Sequence, residues 1–200
     1  VSAYRSVRLV LLDKDGTITA ETGRFEPEPV PLPGAWEALR LLRRLGLGLA
    51  VVTNQGWVAR GEATMENVSA ANERLAWSLA RAGIRLLGVF FCPHHPEGGH
   101  PIFGRECSCR KPKPGLILEA CDAAGVPPAR CLVVGDKLSD VQAAHRAGAV
   151  GALVLTGHGL RERRLALTVV GGARDARPDL VARDVLRVAR LLEGLLKGGA

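Results

Sequence analysis

Short apolar runs alternate with amphipathic stretches along this chain. Leu9 to Leu12 is a continuous apolar run ending in Asp13, the pattern of a strand buried on both faces. Pro33-Gly34 then opens a helix with Ala35, Leu39, Leu42 and Leu45 on one face, and Gly46 stops it. The pattern predicts a second strand over Leu49 to Thr53, a helix over roughly Glu62 to Ala82, and a third strand over Gly88 to Cys92. It continues with a helix over Pro114 to Ala124, a strand over Cys131 to Gly135 and a helix over Leu138 to Ala147. A fifth strand over Ala152 to Leu155 and a terminal amphipathic helix over Val181 to Leu196 complete it. Strands alternating with helices predict an α/β fold: one Rossmann-like domain over residues 1–200, its parallel sheet of about five strands flanked by helices.

Composition changes this picture little. The 200 residues suit one domain with a full core, and 4% aromatic content makes that core mainly Leu, Val and Ala. The net charge of +7 rests on arginines scattered among acids, without a Lys/Arg tract interleaved with aromatics. That pattern reads as a solvated surface that also attracts a phosphorylated substrate, with no nucleic-acid or membrane partner. No apolar run is long enough to span a bilayer, and Val1 to Val7 is too short and polar for a targeting segment. Five cysteines, an odd number, point to a reducing, cytoplasmic setting and to metal binding rather than disulfides. A monomer is expected. Cys121 and Cys131 read as small core residues, and Trp36 and Trp77 as packing residues of their helices.

Ligands of open parallel sheets sit beyond the carboxyl ends of the strands. Four polar clusters fall at such ends: Asp13-Lys14-Asp15-Gly16-Thr17, Thr53-Asn54-Gln55, Arg110-Lys111, and Gly135-Asp136-Lys137-Leu138-Ser139-Asp140. Of the paired acids Asp13 and Asp15, one can attack an electrophile while the other moves protons. With Asp136 and Asp140 added, carboxylates crowd one sheet edge, and Mg²⁺ would neutralise them. Thr53 can hold a phosphate and Lys111 can screen its charge. Between the third strand and Lys111, Cys92 with His94 and Cys107 with Cys109 offer soft ligands as two tight pairs, a closed tetrahedral Zn²⁺ set. His95 and His100 read as solvated residues of that loop. A zinc-dependent nucleic-acid-binding module is the rival class, but carboxylates at the strand ends would repel DNA.

These four clusters resemble the haloacid dehalogenase (HAD) superfamily of phosphohydrolases, with its DxDGT, strand-ending Thr or Ser, Lys and GDxxxD motifs, over about residues 8 to 156. The resemblance implies Asp13 as nucleophile and Asp15 as general acid, then base, with Thr53 and Lys111 stabilising the phosphoryl group. It implies Mg²⁺ held by Asp13, the backbone carbonyl of Asp15, and Asp136. The zinc loop, residues 92–109, narrows the resemblance to two branches without a large cap: the D-glycero-D-manno-heptose 1,7-bisphosphate 7-phosphatases and the histidinol-phosphatases. Thr53-Asn54-Gln55 with Val58-Ala59-Arg60-Gly61, Cys92-Pro93-His94-His95-Pro96 and Gly135-Asp136-Lys137-Leu138 favour the heptose branch. That branch implies removal of the C7 phosphate in nucleotide-activated heptose biosynthesis. Its substrate site would involve Glu21, Thr22, Gly23, Arg24, Thr53, Asn54, Gln55, Gly56, Arg110, Lys111 and Lys137. The chain departs from the branch at Lys14, where Arg is usual, at Gly56-Trp57, where Ser-Gly is common, and along Glu21 to Phe25.

Overall fold

A computed structural model of the protein describes residues 2–168 and 174–197. The elements in chain order are α1 (Ser2–Arg5), β1 (Leu9–Leu12), α2 (Ala35–Arg44), β2 (Gly48–Asn54), α3 (Met65–Arg81), β3 (Val89–Cys92) and α4 (Gly115–Ala124). They continue with β4 (Cys131–Gly135), α5 (Leu138–Ala147), β5 (Val150–Val154), α6 (Gly159–Thr168), β6 (Leu180–Ala182) and α7 (Val185–Lys197). All strand pairs are parallel, in the order β3-β2-β1-β4-β5-β6. The chain thus winds outward in both directions from β1 and β4, and the crevice for a ligand lies between their carboxyl ends.

Strand side chains alternate between two cores, as the pleat requires. Val10, Leu12, Leu49, Val51, Leu132 and Val134 pack with residues of α2, α3 and α7. Leu9, Leu11, Ala50, Val52 and Val133 pack with Leu116, Ile117 and Ala120 of α4 and Ala143 and Ala144 of α5. All four residues of β1 are fully buried, so an apolar run without alternation was the correct signal. The segments after β1 and β3, residues 13–34 and 93–114, contain turns and isolated bridges but no helix, and they add no cap.

The sheet has six strands where five are predicted from the sequence. The additional β6 has three residues, and Val181 belongs to it rather than to the terminal helix. That helix starts later because the Asp184 carboxylate accepts from the Arg187 amide at 2.8 Å, capping α7. Helix α3 also begins three residues late for the predicted range: Thr64 and Asn67 form a reciprocal capping box ahead of Met65. Trp77 is not a core residue. It is 62% exposed, with the Arg81 guanidinium stacked 4.7 Å from its ring, whereas Trp36 packs partly buried against the core.

Candidate active site

The register of the central strands brings the motifs together. Leu12 lies opposite Val134, so Asp13 and Asp136 leave the sheet side by side, and the Asp13 amide continues the ladder to the Val134 carbonyl at 2.8 Å. Gly16 turns the chain sharply at φ 84°; a Cβ there would run into the Asp136 carboxylate. Carboxylate oxygens of Asp13, Asp136 and Asp140 all lie within 4.8 Å of one another, and all three residues are buried. The fully buried Lys111 ammonium meets Asp13 at 2.7 Å, Asp140 at 2.5 Å and the Val52 carbonyl at 2.8 Å. Burial opposes its charge, but Asp13 and Asp140 outweigh that and hold its pKa above the ordinary lysine value.

Lys111 is fixed from outside the acidic cluster. Its amide donates to Asn54 Oδ1 at 3.1 Å and its carbonyl accepts from Asn54 Nδ2 at 3.0 Å. Asn54 pairs with Cys92 across β2 and β3, and the Gln55 amide donates to the Cys92 carbonyl at 2.8 Å. The Gln55 side chain then donates to Asp15 Oδ2 and to Thr53 Oγ1, both at 3.2 Å. The opposite oxygen of Asp15 accepts from Lys14 at 2.5 Å and from Thr19 at 3.3 Å. Burial raises the Asp15 pKa against the pull of Lys14, a shift that would suit a proton donor.

The residues present fit a divalent cation. Asp136 Oδ2 accepts from the His158 amide at 2.8 Å, while its buried Oδ1 has no hydrogen-bond partner. The Asp136 carboxyl is pushed up to about 8, first by burial and then by the charges of Asp13 and Asp140. A hard cation satisfies the orphaned oxygen and removes that repulsion. The folded state holds the Asp136 proton between the ordinary value of 3.8 and about 8, while the unfolded state releases it. Stability without Mg²⁺ should therefore be fullest at low pH and fall as pH rises through this window. Mg²⁺ binds the ionised form, so its stabilising effect should grow over the same window. Melting of the zinc-loaded protein with and without Mg²⁺, from about pH 6 to 8.5, checks this. The shift should widen with pH and vanish in Asp136→Asn; a shift independent of pH would contradict the assignment of Asp136.

The Cys/His loop after β3 gathers a second group of side chains that could hold a metal ion. Cys109 Sγ lies 3.1 Å from Cys92 Sγ, 3.3 Å from Cys107 Sγ and 3.5 Å from His94 Nδ1. Cys92 Sγ is 3.5 Å from Cys107 Sγ and 3.6 Å from His94 Nδ1. A zinc tetrahedron has edges of about 3.8 Å between thiolates and about 3.5 Å from thiolate to imidazole, so these four side chains are gathered for such an ion. Burial raises the pKa of Cys92 and of Cys109, so without a cation the thiols resist joint ionisation. His95 and His100 are not simply solvated. Both are half-buried, and their Nδ1 atoms accept from the Glu97 amide at 3.2 Å and the Ile102 amide at 3.1 Å, closing turns of the loop. The His100 amide docks the loop on the Ala59 carbonyl at 3.0 Å.

A cavity of about 350 Å³ is lined by Asp13, Asp15, Thr53, Lys111 and Asp140. Glu21, Asn54, Gly56, Arg110 and Lys137 also line it. Gln55 stands behind the wall as the orienter of Asp15 and Thr53. Thr22, Gly23 and Arg24 do not line the cavity; Arg24 pairs with Glu26 at 2.7 Å in an exposed turn. Glu21 alone of that group reaches inward, held by Lys137 at 3.1 Å and His158 at 2.8 Å. Trp57, Arg60 and Ser139 complete the lining. Arg60 and Ser139 stand inside the motif-bearing stretches, so their position near the strand ends was the available signal. His158 follows β5 in a stretch without a motif and carried none.

Paired acids, a hydroxyl and a lysine converging beyond the middle strands of a parallel sheet suit a phosphoryl-transfer enzyme of the α/β class. The HAD-hydrolase-like family model matches residues 108–188. The D-glycero-beta-D-manno-heptose-1,7-bisphosphate 7-phosphatase of Escherichia coli K12 is 41% identical over 157 residues, 76% of this chain and 80% of the relative. The enzyme of the same name from Vibrio cholerae is 39% identical over 80% of this chain and 88% of its own. The crystal structure of the D,D-heptose 1,7-bisphosphate phosphatase of B. bronchiseptica, complexed with magnesium and phosphate, superposes with a TM-score of 0.79 at 30% identity. It covers 94% of this chain and 99% of that one. The chain belongs to the HAD-like hydrolases, in the family of these heptose bisphosphate phosphatases, and is a phosphoric monoester hydrolase.

Proposed function

We propose that this enzyme removes the C7 phosphate of D-glycero-D-manno-heptose 1,7-bisphosphate through an aspartyl-phosphate on Asp13. The observation that carries this reading is the convergence of Asp13, Asp15, Thr53 and Lys111 on one cavity that Arg60, Arg110 and Lys137 also line. The names of the relatives supply the sugar. Asp13, the backbone carbonyl of Asp15, and Asp136 would hold Mg²⁺, which neutralises charge on the phosphoryl oxygens when bound. The Asp13 carboxylate attacks phosphorus in line, and Asp15, held by Gln55 and Lys14, protonates the leaving sugar oxygen. Asp15 then takes a proton from water as it attacks the same phosphorus, which returns Asp13 to its carboxylate. Thr53 and Lys111 hold the equatorial oxygens, and Asp140 shares the charge of Lys111 and fixes its direction. Cys92, His94, Cys107 and Cys109 would hold Zn²⁺ and keep Arg110 and Lys111 at the rim and wall.

The domain comprises residues 1–200 and acts as a monomer in a reducing, cytoplasmic compartment. Five unbridged cysteines support the compartment. Among the described residues no helix is long and apolar enough to cross a membrane. Phosphate release from heptose 1,7-bisphosphate, as both anomers, and from histidinol phosphate tests the reading. The bisphosphate should be favoured in kcat/KM by about a hundredfold or more. Preference for histidinol phosphate would overturn the assignment.

A further inference from the structure

The turn after β5 reaches the acidic cluster through its backbone. Asp136 and Lys137 lie on the loop between β4 and α5, and residues 157–162 hold that loop at several points. The His158 amide donates to Asp136 Oδ2 at 2.8 Å. The Leu138 amide donates to Glu162 Oε2 at 2.9 Å. The His158 ring meets Glu21 at 2.8 Å, and Glu21 in turn meets Lys137 at 3.1 Å.

Helix α5 depends on the Glu162 contact. The first amides of a helix need acceptors from outside it, and Lys137 at the N-cap position offers none. Asp140 accepts from the Lys137 amide at 3.1 Å, and the acceptor for Leu138 is carried by α6. The His158 contact depends on bare backbone beside it. Gly157 has φ 51°, and a Cβ there would lie 2.3 Å from Asp136 Oδ2 and 2.7 Å from Gly16 Cα. Only glycine lets the two loops close on the carboxylate in this way. The amide engages one oxygen of Asp136 and leaves the buried Oδ1 without a hydrogen-bond partner. The turn therefore sets which oxygen is free.

We propose that the turn between β5 and α6 tunes the affinity of the site for Mg²⁺, with Glu162 and the backbone at Gly157 and His158 as its positioning groups. The proposal rests on Asp136 as a ligand of that ion, as read above. Mg²⁺ demands near-octahedral geometry, so a carboxylate oxygen held in one direction binds it better than a mobile one. Hydrogen bonds from outside the ligand set supply that hold. The His158 amide acts on Asp136 directly. Glu162 acts one step further out, fixing the Leu138 amide two residues past Asp136 and tying α6 to the end of β4.

The test is calorimetric titration of the zinc-loaded protein with Mg²⁺, without substrate. Glu162→Ala should weaken binding about tenfold, as loss of an outer partner of a metal ligand does. Glu162→Gln loses the charge but keeps an acceptor for Leu138, and should stay within about threefold of wild type. Gly157→Ala pushes a methyl group into Asp136 and should weaken binding by about thirtyfold or more. Phosphate release at limiting Mg²⁺ should fall in the same order and recover as Mg²⁺ is raised, with KM for the sugar phosphate unchanged. Glu162 is half-buried and lies outside both apolar cores, so its truncation leaves them intact even where Gly157→Ala disturbs the fold. Wild-type Mg²⁺ affinity in Glu162→Ala, with or without a lower melting temperature, would overturn the proposal. Equal losses in the Ala and Gln variants would make charge the cause and overturn it as well. A wild type that releases phosphate yet binds no Mg²⁺ would overturn the metal reading, and the proposal with it.

Discussion

The Asp13→Asn protein is expected to fold as the wild type does and to release phosphate at least about ten thousandfold more slowly. The amide matches the carboxylate in volume and can still accept from Lys111, which keeps its Asp140 and Val52 contacts at 2.5 and 2.8 Å. What disappears is the anionic oxygen that attacks phosphorus. Phosphate release measured beside a melting curve separates the two effects. Activity within tenfold of wild type would remove Asp13 as nucleophile, and a collapsed melting transition would mean that Asp13 also holds the fold.

Loss of a zinc ligand should be the largest effect on stability. Cys109→Ser is expected to reduce bound zinc below one equivalent and to lower the melting temperature by about 10 °C or more. Residues 93–109 form no helix or strand, so a bound metal would supply order that packing of regular elements supplies elsewhere. Activity should fall as well, because Arg110 and Lys111 follow Cys109 directly and the Arg110 amide donates to Cys107 Sγ at 3.3 Å. Elemental analysis with calorimetry checks this. An unchanged melting temperature in a zinc-free variant would show that the loop needs no ion.

Strands β1 and β4 and helix α5 were legible to the residue. The two strands are continuous apolar runs that end in Asp13 and in Gly135-Asp136, and the amphipathic α5 stops at Gly148. Strand β6 was hidden because three residues carry no periodicity, and α6 because charged residues occupy much of its length. The same contrast holds in the site. Asp13, Thr53, Lys111 and Asp136 stand at strand ends, where sequence position implies spatial position. His158 reaches Asp136 only because β5 lies beside β4, and the stacking of Arg60 on Trp57 depends on the room that Gly56 leaves. Thr22 to Arg24, which the resemblance implies as substrate-binding, adjoin Glu21 in sequence but do not line the cavity.

The account turns on a covalent intermediate at Asp13. Asp15→Asn allows a direct look, with p-nitrophenyl phosphate as substrate. Its leaving group needs no acid, so the first step proceeds, while hydrolysis lacks its base and the intermediate accumulates. Quenching followed by borohydride reduction converts an aspartyl-phosphate to homoserine, which peptide mass mapping locates. The expected result is homoserine at position 13 together with a stoichiometric burst of nitrophenol. A burst with reduction at another residue, or turnover without any reducible acyl-phosphate, would contradict the account.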